Sequence, residues 1–116
     1  MKTMKNVVYL IGYMGSDAQC FPLKSGGKVC KASLATNDYY TDSAGQKQQR
    51  TQWHRLTGWG GIAERMERQL LKGSRVILEG KLNHRIYEDN NGVKRYLTEV
   101  HVNDFIVNIN TELKAA

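Results

Sequence analysis

The chain is poor in the residues that make covalent or metal-centred chemistry: its 116 residues include two cysteines, three histidines and one proline. Cys20 and Cys30 lie ten apart, in neither a CxxC nor a zinc-finger spacing. They read as reduced thiols of a cytosolic protein, with a structural disulfide the lesser alternative, and no metal site follows from them. His54, His84 and His101 are scattered, with no HExxH spacing, no GxxxxGK[ST] phosphate loop, no GxSxG and no carboxylate pair suited to metal-assisted hydrolysis. Catalysis is therefore not expected, and neither is a cofactor. Long apolar runs are missing as well. Val7 to Ile11 spans five residues before Gly12 ends it, too short for a signal-peptide core or a membrane span.

Acid is scarce too. Seventeen Lys and Arg against eleven Asp and Glu leave a formal charge of +6, which favours a polyanionic partner, either nucleic acid or an anionic membrane surface. The length supports one domain with a modest core, so self-association would be a ready source of further stability.

What is present is strand-like. Residues 6–11 (NVVYLI) are β-branched and aromatic and predict a first strand, and Val29 to Thr36 a second, after the glycine turn at Gly26 and Gly27. A loop carrying Pro22 is expected between them. The polar residues 37–49 read as an exposed excursion into a third strand, Arg50 to Gly58. The period then changes: Ile62, Ala63, Met66, Leu70 and Leu71 fall at helical spacing up to Gly73. A fourth strand from Arg75 to about Tyr87, a turn at Asp89 to Gly92, and a fifth strand from Lys94 to Asn103 complete the chain. One helix between the third and fourth of five strands is the order of the all-β OB-fold, a five-stranded Greek-key barrel that binds oligonucleotides and oligosaccharides across its strands.

Both tryptophans fall in one stretch, TQWHRLTGWG (51–60). In a strand, Thr51, Trp53, Arg55, Thr57 and Trp59 share one face while His54 and Leu56 take the other. Such a face is either a core wall or an outward platform, and Arg55 argues for the platform, because buried arginine is rare unless paired. The fourth strand repeats the pattern, with Arg75, Ile77, Glu79, Lys81, Asn83, Arg85 and Tyr87 on one face and Val76, Leu78, Leu82 and Ile86 on the other. Aromatics set among cations can stack bases while the cations follow phosphates, without demanding any sequence. Tyr39 and Tyr40 add aromatics in a polar stretch with no core to fill.

Taken together, NVVYLIGYMG, LATN (34–37), TQWHR (51–55), WGGIAE (59–64), LLKGSRVILEGKL (70–82) and KRYLTEV (94–100) resemble the bacterial single-stranded DNA-binding protein family from about Asn6 to Val107. The resemblance implies non-enzymatic, sequence-tolerant binding and protection of single-stranded DNA in replication, recombination or repair. It implies stacking on Tyr40, Trp53, Trp59 and Tyr87, with Arg55, Lys72, Lys81 and Arg85 as the cations. It also implies a cytoplasmic, nucleoid-associated homotetramer (or a dimer) with His54 at the subunit contacts. Members usually carry tryptophan at positions 40 and 87 and phenylalanine at 59, so stacking is preserved in kind. They commonly carry basic residues where Phe21, Gly61, Asn83 and Ile86 stand, so fewer phosphate contacts are expected here.

The binding domain is expected over residues 1–110, followed by a short end, 111–116, without the family's acidic Pro-Phe tail. Either a tail-less relative or the binding core alone is implied, and tail-mediated repair and replication partners are not expected. Two other readings share these features. One is a replisome bridging module resembling the primosomal replication protein; the other is RNA binding like a cold-shock domain, because stacking does not identify the sugar.

Overall fold

The computed structural model describes residues 5–108, so the short end expected at 111–116 lies outside the described residues. The elements are β1 (Val8–Met14), β2 (Gln19–Pro22), β3 (Lys28–Thr41), β4 (Lys47–Trp59), α1 (Gly60–Gln69), β5 (Arg75–Glu88) and β6 (Lys94–Asn108). The strands form one sheet in the order β1-β5-β6-β4-β3-β2, and β1 pairs back onto β3 to close it into a barrel. Pairing is antiparallel except where β4 meets β6, Leu56 beside Val100 and Thr57 beside His101. Five long strands with one helix after the third of them make the expected OB-fold, with β2 added at an edge.

Closure depends on β1 changing partners. Gly12 still pairs with Val76 of β5, whereas Tyr13 also faces Ala35 of β3. A side chain at Gly12 would overlap the Ala35 carbonyl oxygen, so glycine permits the crossing. Inside, Leu34, Leu56, Met66, Leu70, Val76 and Leu78 are almost wholly buried. The helix closes one end through Ala63, Met66 and Leu70, the helically spaced residues. Met66 packs over Gly58, where a Cβ would overlap its sulfur. The helix is shorter than the apolar pattern suggests: it stops at Gln69, and Leu71 is left exposed beside the turn closed by the Ser74 N–H to Leu71 carbonyl bond of 3.0 Å.

Three sequence readings are corrected. The polar stretch 37–49 is the outer half of a β3–β4 hairpin, paired through to Thr41 and Lys47. Polarity there reflects a two-stranded arm that reaches beyond the core, with water on both faces. The segment read as a loop around Pro22 is β2. Its proline pairs with Lys28 at the edge of the sheet, where a missing N–H removes no interior ladder bond. The cysteines are not reduced thiols: β2 places Cys20 directly opposite Cys30, Cα to Cα 4.0 Å, and the two form a disulfide. A spacing of ten carries no such meaning until residues 19–22 are recognised as a strand.

Both hairpin arms turn in the same way. In TDSAGQK and EDNNGVK the aspartate carboxylate accepts backbone N–H bonds two and four residues on, from Ala44 and Gln46 at 3.0 and 2.9 Å and from Asn91 and Val93 at 2.9 and 3.0 Å. Gly45 (φ 81°) and Gly92 (φ 77°) take the left-handed position that the reversal requires. Those bonds hold the carboxylates of Asp42 and Asp89 below their usual range, the Gln46 and Val93 N–H groups having the largest effect, with help from Gln48 and Arg95.

Candidate nucleic-acid interface

The β4 face predicted from alternation is present. Thr51, Trp53, Arg55 and Thr57 stand opposite Asn37, Ala35, Ser33 and Lys31 of β3, and Trp59 opposite Val29. Trp53 is 61% exposed and Trp59 51%, so neither indole fills the core and both face outward. Trp53 lies over Gly15, where a Cβ would come within 2.5 Å of Cζ3 and 2.8 Å of Cη2 of the ring. The glycine thus lets the indole approach the chain just beyond β1.

β5 and β6 supply a second face. Lys81, Asn83, Arg85 and Tyr87 pair with His101, Glu99, Leu97 and Arg95. The two faces meet at the parallel β4–β6 contact, where the Thr57 hydroxyl donates to Oε2 of Glu99 at 3.0 Å. Between them lies a cavity of about 510 Å³ whose lining includes Lys31, Ser33, Arg55, Arg85, Tyr87 and Glu99. That volume lies within the range of small-ligand clefts. Across it stand three cations, an aromatic and a nearly buried carboxylate.

Glu99 is 5% exposed. Burial alone would push its carboxyl up, but the Thr57 hydroxyl, the Arg85 guanidinium and His101 outweigh burial and hold it below the usual carboxylate range. Arg85 Nε donates to Oε1 at 3.3 Å, and His101 Nε2 lies 3.7 Å from the same oxygen. The Arg85 guanidinium also sits 6.0 Å from the centre of the Tyr87 ring, so one carboxylate orients the cation beside the aromatic.

The structure brings Arg55, Arg85 and Tyr87 together at the cavity, with Trp53 and Trp59 along the same β4 face. Lys72 stands at its margin, its backbone N–H bonded to the carboxylate of Asp17, a lining residue, at 2.8 Å. Lys81 is exposed on the Arg85 face, beyond the cavity lining. Tyr40 is placed differently from Trp53. Paired with Gln48, it shares the His54 side of the hairpin and lies 6.0 Å from the Arg50 guanidinium, whereas Tyr39, opposite Gln49, shares the Trp53 side. His54 points away from the indoles as expected, and its ring bonds Oγ1 of Thr36 at 2.9 Å.

Residues missed from sequence are Lys31, Ser33, Gly15 and Glu99. The first two become visible only through the β3–β4 register. Glu99 leaves one trace, a carboxylate in the otherwise apolar and neutral run YLTEVHV.

Comparison with known proteins agrees with this geometry. The model of the Single-strand binding protein family matches residues 5–108. Single-stranded DNA-binding protein 1 of Chlorobaculum tepidum is 41% identical over 100 residues, covering 85% of this chain and 62% of that protein. The chain thus spans less than two thirds of that relative's length. Among solved structures, a Plasmodium falciparum SSB in complex with ssDNA superposes with a TM-score of 0.84 at 30% identity, covering 93% of this chain and 98% of the other. A deletion mutant of the single-stranded DNA binding protein from Thermus aquaticus gives 0.80 at 27% identity, over 91% and 51% of the two chains.

Proposed function

The chain belongs to the single-strand binding protein family, and from that premise we propose that it coats single-stranded DNA without regard to sequence, protecting it during replication, recombination or repair. The observation that carries the reading is the pair of exposed indoles flanking Arg55 on one strand face, beside a cavity edged by Tyr87 and Arg85. A base has two flat faces and a charged backbone, and this surface offers aromatic planes with cations between them. Each stacked base contributes about 1 to 3 kcal/mol. Trp53, Trp59 and Tyr87 are the stacking residues, Tyr39 or Tyr40 extends the path along the β3–β4 arm, and Arg55, Lys72, Lys81 and Arg85 supply positive charge. Binding is stoichiometric, with no turnover, and takes place in the cytoplasm at the nucleoid.

Self-association belongs to the same reading. Tyr9, Ile11 and Tyr13 of β1 lie beside Glu79, Ile77 and Arg75 of β5, with Ile106 of β6 paired to Ile77. Tyr9 is 67% exposed, Ile11 53% and Ile106 65%. An apolar patch of this kind on the outside of a barrel suits burial against a second copy, in a tetramer or a dimer, with His54 near a further subunit contact. The direct test of ligand is competition of poly(dT) against poly(U) for a labelled oligonucleotide. Preference for poly(dT) supports the proposal, whereas preference for poly(U) would make the chain an RNA binder.

A further inference from the structure

The cavity between the β4 and β5–β6 faces holds a charge arrangement that a simple phosphate groove does not need. Its floor carries Glu99, a nearly buried carboxylate whose oxygens are engaged by Thr57 at 3.0 Å and Arg85 at 3.3 Å. A phosphate entering here would meet that negative charge at close range. Arg85 attracts a phosphate less than a free cation would, because Glu99 engages its Nε at 3.3 Å and offsets its charge. What the pair leaves available is the Tyr87 ring with a guanidinium 6.0 Å from its centre, and the apolar Leu97 beside it.

We infer that Glu99 is a positioning residue that neutralises Arg85 and fixes it beside Tyr87, so that the β5–β6 side of this cavity receives a base, while Arg55 and Lys31 on its β3–β4 side carry the backbone contacts. The inference rests on the proposed single-strand binding. It makes Arg85 a residue of the base-stacking platform and removes it from the count of phosphate contacts. The net charge of the Arg85–Glu99 pair then sets the local electrostatics: zero in the natural chain, +1 in Glu99→Gln, −1 in Arg85→Ala, and zero again in the double variant.

The experiment is the salt dependence of poly(dT) affinity for these four proteins, each first shown by circular dichroism and thermal unfolding to be folded. Each effective phosphate contact contributes about 0.7 to the slope of log K against log salt. Glu99→Gln should steepen the slope by about that amount, Arg85→Ala should make it shallower, and the double variant should return to the natural slope. A merely structural Glu99 would lower affinity at every salt concentration with the slope unchanged, and that result overturns the inference. So does a double variant as shallow as Arg85→Ala, which would make Arg85 an independent phosphate contact. Should Glu99→Gln alone fail to fold, the double variant set against Arg85→Ala carries the same test: a slope steeper than that of Arg85→Ala by about 0.7 supports the inference, and equal slopes overturn it. Absence of any salt-dependent poly(dT) binding by the natural chain would instead strike the proposed function itself.

Discussion

Replacing Trp53 by alanine separates what the indole does for DNA from what it does for the fold. The residue is 61% exposed, so about two fifths of its surface is covered, part of it where the ring approaches Gly15. Taking ~250 Å² as the area a tryptophan buries when fully enclosed, that coverage is about 100 Å². At ~25 cal/mol per Å² it corresponds to about 2.5 kcal/mol of stability as an upper bound. The variant should therefore remain folded at room temperature with a lowered melting temperature. Its loss in binding has a different origin. One stacked base at about 1 to 3 kcal/mol corresponds to roughly a 5- to 150-fold weaker Kd for short oligo(dT). No cation is removed, so the salt slope should stay as it is. Fluorescence anisotropy of a labelled oligonucleotide across a salt series measures both quantities. A Kd within twofold of the natural value would refute the stacking role, and a shallower slope would show that the change had displaced Arg55.

The remaining predictions concern fold, assembly and acid response. Gly58→Ala should destabilise the domain by about 1 to 3 kcal/mol, because its methyl would overlap the Met66 sulfur and stand 3.0 Å from Cγ2 of Ile62; calorimetry should show a lower melting temperature, and an unchanged one would mean that the helix shifts freely. Ile11→Glu should lower the mass measured by analytical ultracentrifugation at low micromolar concentration. His54→Tyr should weaken assembly more than base stacking, and an unchanged mass in both variants would reject the assigned surfaces. Asp42, Asp89 and Glu99 titrate below their ordinary values in the fold. They therefore contribute stability that is complete above their unfolded values and is lost as pH falls through the depressed folded ones. Melting temperature should accordingly hold from neutrality down to about pH 5 and drop below it, with a smaller drop in Asp42→Asn and Asp89→Asn. The same drop in both variants would remove the turn carboxylates from the account.

Much of this was legible because the relevant patterns are local. Period-two alternation in residues 51–59 placed Trp53, Arg55 and Trp59 on one face, and the switch to helical spacing at Ile62 located the helix. Features that depend on pairing were not legible. Tyr40 and Tyr39 differ by one position, and only the register with Gln48 and Gln49 decides which shares the side of Trp53. The disulfide required knowing that Gln19–Pro22 is an edge strand opposite Lys28–Lys31. Glu99 is a single carboxylate in its run, and its meaning comes from Thr57 and Arg85, 42 and 14 residues away in sequence.

The central claim is that Trp53 and Trp59 are exposed because bases stack on them. Titrating the chain's own tryptophan fluorescence with poly(dT), at roughly 50 and 200 mM salt, tests it without a label. The account predicts strong, saturable quenching that weakens at the higher salt. Fluorescence unchanged up to high micromolar strand would contradict it and leave the indoles without a role in DNA binding.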